Sequence, residues 1–498
     1  MSEKILFWLD ADITSFCLSY YLQKKLDIDF YAIIDVTNKP KDFFKKQSLV
    51  KFKKSWFYHD HIKKNSTLTN LKYLESIEKK YGIDLWQIVC NDRIFNHYNE
   101  YHIFTRDEIL SILEQECRLY EQILNDTKPD YFITPENTFR HHHLLYSMCK
   151  SKGIKILMLN IANIGELCYL SQKRHHLDKI ETTTPKHNDF SELQQYLKNF
   201  TISKKHKKFL ENLQSSKIDL LQATIKFLTK NSPKNSHYTY FGRSRFKVLI
   251  KEIIYRLKRK YRKSFIDKNF ISKINFNSKF VYFSMQTEPE RSLLIDAPFY
   301  TNQIEMIKNI AKSLPIEYKL YVKEHPNQGP LRGWRKISEY KELMEIPNIL
   351  LIHPSVSVEE LLKLCSLVVS AGTTCFEAGF YSKPSITFAD LGYSNLPHVF
   401  KINSLEELPS LIRSALTTQV HVSDMSSYLS LIEKNSFEFD YLNFILNYQN
   451  SFYYGGNLVD VEISEDKMYN FLLENESSLE TLANAHIEKI NYFKHNND

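Results

Sequence analysis

Three short polar segments in the second half of the chain contain residue types that bind nucleotides. In FSMQTEPERS, Gln286 could contact a base or sugar edge, and Arg291 could pair with phosphate in fork geometry. In KLYVKEHPNQ, His325 and Pro326 close an apolar stretch. In SAGTTCFEAG, small residues would let the backbone approach a ligand, and a helix start would offer free N–H groups to phosphate. Glu377 in this segment could accept hydrogen bonds from a ribose diol.

Each polar segment follows an apolar stretch that is typical of a β-strand, at 279–283, 317–323 and 367–369. Ligands of open parallel sheets bind beyond the carboxyl ends of the strands, so the three segments predict one nucleotide pocket. Taken singly, they could be a solvated loop, a strand end and a helix cap. The residues assigned to the nucleotide and donor site are Gln286, Glu288, Arg291, Lys323, His325, Pro326, Ser370, Gly372, Thr373, Thr374 and Glu377.

The first half of the chain offers carboxylates for acid–base chemistry. Asp10 ends the first apolar stretch, and Glu136 follows the apolar stretch 131–134. The His-Pro segment followed by the Gly-Thr-Thr and Glu segment suggests the nucleotide-sugar half of a two-domain glycosyltransferase. Glycosyl transfer needs a group that activates the acceptor or stabilises an oxocarbenium-like state. We predict Glu136 in this role, Asp10 as second candidate, and His325 as a catalytic residue on the donor side. The residues assigned to the acceptor side are Asp12, Asp92, Arg93, Arg140 and His141.

Two of these assignments have structural alternatives. Glu136 could be an acid that favours a helix N-terminus, and Asp92 with Arg93 could form an internal ion pair. The motif Asp10-Ala11-Asp12 lies in the first half of the chain, and the triplet 141–143 lacks the i, i+4 spacing of zinc-binding histidines. We therefore expect no metal. We also expect no cofactor, because a nucleotide-sugar would be a substrate.

Alternating strand and helix patterns predict the elements that position these residues. They indicate an α/β, GT-B-like fold, with two Rossmann-like domains facing each other across a cleft and a C-terminal helical extension. The predicted division is an acceptor-side domain at 1–230, a linker with a basic amphipathic helix at 231–277, a nucleotide-sugar-binding domain at 278–420 and a mainly helical extension at 421–498.

The predicted linker helix suggests a membrane partner. Residues 243–263 contain ten Lys or Arg residues and one acid, Glu252, with apolar residues at helical spacing. Such a helix can lie on an anionic membrane, although it could also pack its apolar stripe on the body of the protein. The formal net charge of +8 would also suit nucleic acid, but no RNP, KH or OB signature occurs.

The sequence also predicts where the protein works. The first residues lack a secretory pattern, and no apolar run reaches the ~20 residues of a membrane span. We expect a cytoplasmic protein, peripheral on the inner face of the cytoplasmic membrane through residues 243–263.

The three polar segments resemble the Gln, His-Pro and Thr/Glu motifs of bacterial capsule and surface-polysaccharide biosynthesis glycosyltransferases, which include the capsular β-Kdo transferases. The resemblance covers about residues 280–390. It implies a GT-B fold, no metal requirement, a CMP-activated ulosonic sugar as donor and a surface-glycan acceptor that could be lipid-linked. Gln286 and His325-Pro326 would lie at the donor site, and Ser370, Thr373, Thr374 and Glu377 would hold the nucleotide.

The segment after Gln286 departs from the Kdo-transferase pattern, because Thr-Glu-Pro-Glu follows it. A UDP-sugar therefore stays open as the donor. Two other functions also stay open: a GT-B-shaped nucleotide-sugar epimerase, which needs no acceptor, and a non-catalytic scaffold of polysaccharide assembly, which would bind no nucleotide.

Overall fold

The structure is a computed structural model, and it describes residues 3–64, 69–97, 101–181, 183–200, 217–229, 237–274 and 278–495. The predicted domain ends at 230 and 277 lie outside these residues. The chain divides into two compact units that interleave along the sequence. Unit 1 comprises Met1–Lys179, Phe200–Arg245 and Ile432–Asp498, and unit 2 comprises Ile180–Asn199 and Phe246–Leu431.

Unit 1 is built on a mainly parallel sheet. Its strands are β1 (Lys4–Leu9), β2 (Asp29–Ile34), β3 (Lys54–Phe57), β4 (Tyr131–Thr134), β5 (Lys155–Ile161), β6 (Leu167–Ser171) and β13 (Phe437–Glu438). Their order is β13-β6-β5-β4-β1-β2-β3, and β6 runs antiparallel to both of its neighbours. The α-helices of unit 1 are Thr14–Lys25, Asn38–Lys46, Tyr58–His61, Leu71–Tyr81, Leu85–Cys90, Arg106–Thr127, Arg140–Ser151, Lys217–Thr229, Tyr441–Phe452, Glu465–Glu474 and Glu476–His495. The described part of unit 1 also contains a π-helix at Arg93–His97 and a 3₁₀ helix at Tyr238–Tyr240.

Helices cover both faces of this sheet, which explains why every residue of β1 after Lys4 is apolar and buried. On one face, Phe7 belongs to a core that includes Phe444, Phe471 and Leu482 from the C-terminal helices. On the other face, Leu6 belongs to a core formed with the helix Arg106–Thr127. The predicted helical character of the C-terminal region is confirmed, and its last part completes the core of unit 1.

Unit 2 has a fully parallel sheet. Its strands are β7 (Phe280–Ser284), β8 (Lys319–Lys323), β9 (Ile349–Ile352), β10 (Leu367–Ser370), β11 (Ser385–Thr387) and β12 (Val399–Lys401), in the order β12-β11-β10-β7-β8-β9. The α-helices of unit 2 are Phe190–Phe200, Arg245–Asn269, Arg291–Leu294, Gln303–Ser313, Gln328–Arg332, Ile337–Met344, Val358–Leu364, Thr374–Phe380, Leu408–Thr417 and Val422–Lys434. Three of these helices cross a boundary between the units, because Phe200, Arg245 and residues 432–434 are counted with unit 1. Short 3₁₀ helices lie at Gly392–Asn395 and Leu405–Glu407.

Each sheet contains one place where the strand order reverses. In unit 1 the reversal lies between β1 and β4, and in unit 2 it lies between β7 and β10. In sheets of this kind the loops on the two sides of the reversal part and leave a crevice at the carboxyl ends of the strands. The prediction of two Rossmann-like α/β domains is confirmed. None of the described helices is long and apolar enough to cross a membrane.

Candidate functional site

The strand reversal of unit 2 brings together three of the predicted nucleotide-binding residues. Ser284 ends β7 and pairs in register with Ser370 at the end of β10. The Ser370 hydroxyl donates to the Ser284 carbonyl at 2.9 Å and accepts from the Gln286 amide nitrogen at 2.9 Å. The Thr374 hydroxyl donates to the Ser284 hydroxyl at 3.0 Å. Gln286 and Thr374 are therefore both held at the mouth of the β7–β10 junction.

Gly372 leaves the space that Gln286 occupies. A Cβ atom at position 372 would lie 2.7 Å from the Gln286 amide nitrogen, which is closer than non-bonded atoms approach. The Gly372 carbonyl accepts from the Tyr393 hydroxyl at 2.6 Å, so the loop cannot easily move away. A glycine is needed here for the close approach of a side chain rather than for backbone freedom.

His325 joins this site from the end of β8. Its Nδ1 lies 2.9 Å from the Thr287 hydroxyl and accepts from the Asn327 backbone N–H at 3.1 Å. Because Nδ1 accepts a hydrogen bond from a backbone N–H, the proton of the neutral ring lies on Nε2. The ring is thereby oriented so that Nε2 is a hydrogen-bond donor.

Arg335, which the sequence analysis did not single out, connects the loops after β7 and β8. Its Nε lies 3.1 Å from the Glu324 carboxylate, and its Nη1 donates to Glu288. Its Nη2 donates to the Gln286 carbonyl at 3.2 Å, and the Tyr340 hydroxyl donates to Glu324 at 2.7 Å. All three guanidinium nitrogens of Arg335 therefore donate hydrogen bonds, and together these bonds fix the loop that carries Gln286.

Two glutamines were also missed, and both fix the same loop. Gln303 accepts from the Gln286 backbone N–H at 2.7 Å and donates to the Gln286 carbonyl at 3.0 Å. Gln303 also donates to Glu288 at 2.6 Å, and Gln328 accepts from the Glu288 backbone N–H at 2.8 Å. Glu288 thus has hydrogen-bond partners within the protein. Its contact with the donor stays a prediction.

The charged residues of the predicted pocket differ in their surroundings. Arg291 forms an ion pair with Asp296 at 3.2 Å. Lys323 is 2% exposed, and burial lowers its pKa to about 8 even though the nearby Glu324 acts to raise it. Glu377 lies in the first turn of the helix Thr374–Phe380, and burial raises the pKa of its carboxyl to about 7.

The strand reversal of unit 1 collects acidic and imidazole groups. Asp10 accepts from the Asp12 backbone N–H at 2.8 Å, and Asp12 accepts from the Thr14 backbone N–H at 3.0 Å and from the Tyr441 hydroxyl. Burial, with the nearby charges of Asp12 and Asp35, raises the pKa of Asp10 well above its usual value. A carboxyl group of this kind takes up a proton more readily than an exposed aspartate.

Asp35 and His59 are further members of this group that the sequence did not indicate. Asp35 follows β2, and its two carboxylate oxygens lie 2.8 Å from Nε2 of His59 and 2.8 Å from Nε2 of His141. Burial acts to raise the pKa of Asp35, but the two imidazoles lower it well below its usual value. Asp35 thus orients both rings. Among the described residues, no group of three or more His, Cys, Asp or Glu side chains is arranged to hold a metal ion.

The other predicted acceptor-side residues lie in ion pairs or ring contacts. Glu136 accepts from Arg174 at 2.8 Å. Arg140 is buried, donates to Asp92 at 3.0 Å and forms an ion pair with the buried Glu116. The Arg93 guanidinium lies over the Phe139 ring. The ion pairs of Asp92 and Arg140 give these two residues a structural role. A role on the acceptor side stays a prediction.

A comparison with protein families finds a match in the middle of the chain. Residues 180–395 match the model of the family described as "Capsule polysaccharide biosynthesis protein". The match spans all three polar segments of unit 2. The resemblance to capsule polysaccharide biosynthesis enzymes is therefore confirmed for this part of the chain. No curated protein matches the chain.

Several solved structures are similar in fold, at low identity. UDP-GlcNAc 2-epimerase from Methanocaldococcus jannaschii has 12% identity and a TM-score of 0.26, over 87% of this chain and 99% of its own. The β-Kdo 2,4-transferase KpsC from Thermosulfurimonas dismutans has 10% identity and a TM-score of 0.26, over 60% of this chain and 78% of its own. The trehalose-6-phosphate phosphatase N-terminal domain from Candida albicans has 10% identity and a TM-score of 0.30, over 87% and 95%. Likenesses at these scores do not discriminate between transferase and epimerase.

The close approach of Gln286 to Gly372 predicts the effect of adding one methyl group. We expect Gly372→Ala to displace Gln286 from Ser370 and to lower the affinity for CMP or UDP by about tenfold or more, as measured by titration calorimetry. The melting temperature should change little, because the added methyl group would meet the end of the flexible Gln286 side chain rather than backbone. An unchanged affinity for both nucleotides would contradict the placement of the pocket at this junction.

The raised pKa of Glu377 predicts a pH dependence of nucleotide binding. We predict that Glu377 binds a ribose diol more strongly as the carboxylate, which accepts hydrogen bonds at both oxygens and forms as the pH rises through about 7, than as the neutral acid. We therefore expect affinity for CMP or UDP to rise several-fold between about pH 6 and about pH 8, and Glu377→Gln to flatten this rise. A rise of equal size in the Gln variant would show that another group titrates.

Proposed function

We propose that this protein is a glycosyltransferase that binds a nucleotide-activated sugar in unit 2 and transfers the sugar to a capsule or other surface-glycan acceptor. The observation that carries the proposal is the junction of β7 and β10. Gln286 is bound to Ser370 there, and His325 is oriented on the neighbouring loop. The family match over 180–395 supports the same segment as part of a capsule biosynthesis enzyme.

The favoured donor is a CMP-activated ulosonic sugar such as CMP-Kdo, because the three motifs resemble those of the capsular β-Kdo transferases. A UDP-sugar is the second candidate, because Thr287 to Glu290 depart from the Kdo pattern. The predicted acceptor is a glycan or a lipid-linked glycan, and the predicted location is the cytoplasm, beside the membrane. We propose that no divalent metal takes part.

The proposed chemistry assigns a role to the proton on His325 Nε2. Breaking the bond between sugar and nucleotide leaves negative charge on the phosphate oxygen. A hydrogen bond from Nε2 to that oxygen would strengthen as the charge develops, which lowers the barrier. Thr287 and the Asn327 backbone hold the ring in this orientation.

The acceptor hydroxyl must lose its proton during transfer. Glu136 remains a candidate for this step, but its carboxylate is engaged in an ion pair with Arg174. Asp10 lies at the strand reversal of unit 1 and has a raised pKa. We therefore propose Asp10 as the general base, with Asp35, His59 and His141 as the group that orients its surroundings.

A transfer assay tests this function, and the chain offers a matched control. His353-Pro354 ends β9 as His325-Pro326 ends β8, but His353 bonds Ser355 at 2.6 Å and Asp267 at 3.2 Å. With CMP-Kdo and UDP-sugars as donors and capsule oligosaccharides as acceptors, we expect His325→Ala to lower kcat about a hundredfold or more. His353→Ala should keep the activity.

Mass spectrometry of the products in EDTA separates the alternatives. An elongated acceptor supports a transferase, whereas a changed nucleotide-sugar without any acceptor would show an epimerase. The failure of every nucleotide to bind would favour the scaffold. Activity that is lost in EDTA and restored by manganese would contradict the metal-independent part of the proposal.

Asp10 and Glu136 can be distinguished by isosteric amides. If Asp10 is the base, Asp10→Asn should lower kcat by about a hundredfold or more, with little change in nucleotide affinity. Glu136→Gln, which removes the charge that pairs with Arg174 but keeps the shape of the side chain, should lower kcat by less than about tenfold. Rate measurements with the opposite ranking would assign the base to Glu136.

A further inference from the structure

One face of the helix Arg245–Asn269 is attached to unit 2. Ile266 is 1% exposed, and the Tyr255 ring lies so close to Gly333 that a Cβ there would come within 2.7 Å of it. The Arg262 guanidinium donates to the Trp334 carbonyl at 2.7 Å. Tyr255, Arg262 and Ile266 are spaced by seven and four residues, so they lie on one side of the helix.

The opposite side of this helix exposes large apolar side chains. At about 100° per residue they fall within roughly a third of the helix circumference. This exposed stripe, with the exposed fraction of each residue, is Phe246 (72%), Ile250 (39%), Ile253 (59%), Ile254 (44%), Leu257 (65%) and Tyr261 (71%). If the amphipathic pattern served only to pack the helix on the body of the protein, this stripe would be buried. A continuous exposed apolar surface of this kind instead marks an interaction site.

Basic residues border the exposed stripe on both sides. At about 100° per residue, Lys247 and Lys258 lie beyond one edge of the stripe, and Arg256 and Lys260 lie beyond the other. The single acid among residues 243–263, Glu252, pairs with Arg256 at 2.8 Å. Long basic side chains beside an apolar stripe can keep their stems on the apolar surface while their charged ends reach outward.

We propose that the exposed stripe docks the protein on an anionic phospholipid bilayer, with the helix axis in the plane of the membrane. A bilayer surface satisfies both features at once, because the apolar stripe enters the acyl boundary and the bordering cations meet anionic headgroups. Nucleic acid would use the cations but would leave the apolar residues in water. A second protein would need an acidic rim around an apolar groove that matches this stripe.

Docking at this helix does not depend on the identity of the reaction. It would place unit 2 at the surface where a lipid-linked acceptor is anchored, so it adds a location to the proposed activity. Binding to vesicles can therefore be tested without any substrate, and its failure would leave the transferase proposal intact.

Flotation with vesicles of defined composition tests the proposal. The full chain should float with phosphatidylcholine vesicles that contain phosphatidylglycerol at low salt. It should be released at high salt, because salt screens the attraction between the cations and the headgroups. With vesicles of phosphatidylcholine alone, the apolar stripe acts without charge attraction, so the bound fraction should be much smaller.

Two variants remove the two components separately. A stripe variant carries Phe246→Ser, Ile253→Ser and Leu257→Ser, and a charge variant carries Arg256→Glu, Lys258→Glu, Arg259→Glu and Lys260→Glu. Each should lower partitioning to anionic vesicles by about tenfold or more. The control has the same total charge as the charge variant, with exposed lysines replaced elsewhere: Lys72→Glu, Lys150→Glu, Lys312→Glu and Lys341→Glu.

We expect the control to float like the wild type, and all variants to keep the circular dichroism spectrum and melting temperature of the wild type. A wild-type protein that stays at the bottom of the gradient would overturn the proposal. So would a control that loses flotation as fully as the charge variant, since net charge alone would then explain binding. If the protein does not float but self-associates, and the stripe variant abolishes this self-association, the helix binds a second copy of the chain. If the protein does not float but binds an RNA oligonucleotide, the helix binds nucleic acid.

Discussion

The candidate nucleotide site depends on one contact across a strand reversal, the hydrogen bond between Gln286 and Ser370. The bond joins residues that are 84 positions apart in the chain and lie at the ends of the neighbouring strands β7 and β10. It forms only because position 372 carries no side chain, so Gln286 can enter the space beside the loop. Arg335 and Gln303 also form hydrogen bonds with the backbone of Gln286. The loop is therefore rigid where a ligand would bind, which reduces the entropy that binding must overcome.

Local patterns were sufficient to predict the elements of this region. The strands predicted at 279–283, 317–323 and 367–369 correspond to β7, β8 and β10 to within two residues at each end, and polar residues do follow each of them. The sequence also indicated Gln286, His325 and Gly372. It did not indicate Arg335, because an arginine after a short helix has no local signal, and its partners come from two other loops. Gln303, Asp35 and His59 were missed for the same reason.

The interleaving of the two units was also beyond the sequence. Amphipathic patterns predict that the last helices have apolar faces, but they do not say which surface covers those faces. In the structure, Phe444 and Leu482 complete the core of unit 1. In the sequence, however, all residues of unit 2 come between these two residues and strands β1 to β6. The packed face of the helix Arg245–Asn269 could not be predicted either. The helical spacing of its apolar residues does not indicate that the face with Tyr255 and Ile266 is the one that packs on unit 2.

Hydrogen–deuterium exchange of the full chain, with and without a saturating nucleotide, tests the central claim most directly. If the nucleotide binds at the β7–β10 junction, protection should increase in the loops 284–291, 323–328 and 370–378, because their backbone amides become shielded or held more firmly. Protection confined to the loops of unit 1 after β1 and β4, with none in the loops of unit 2, would contradict the account.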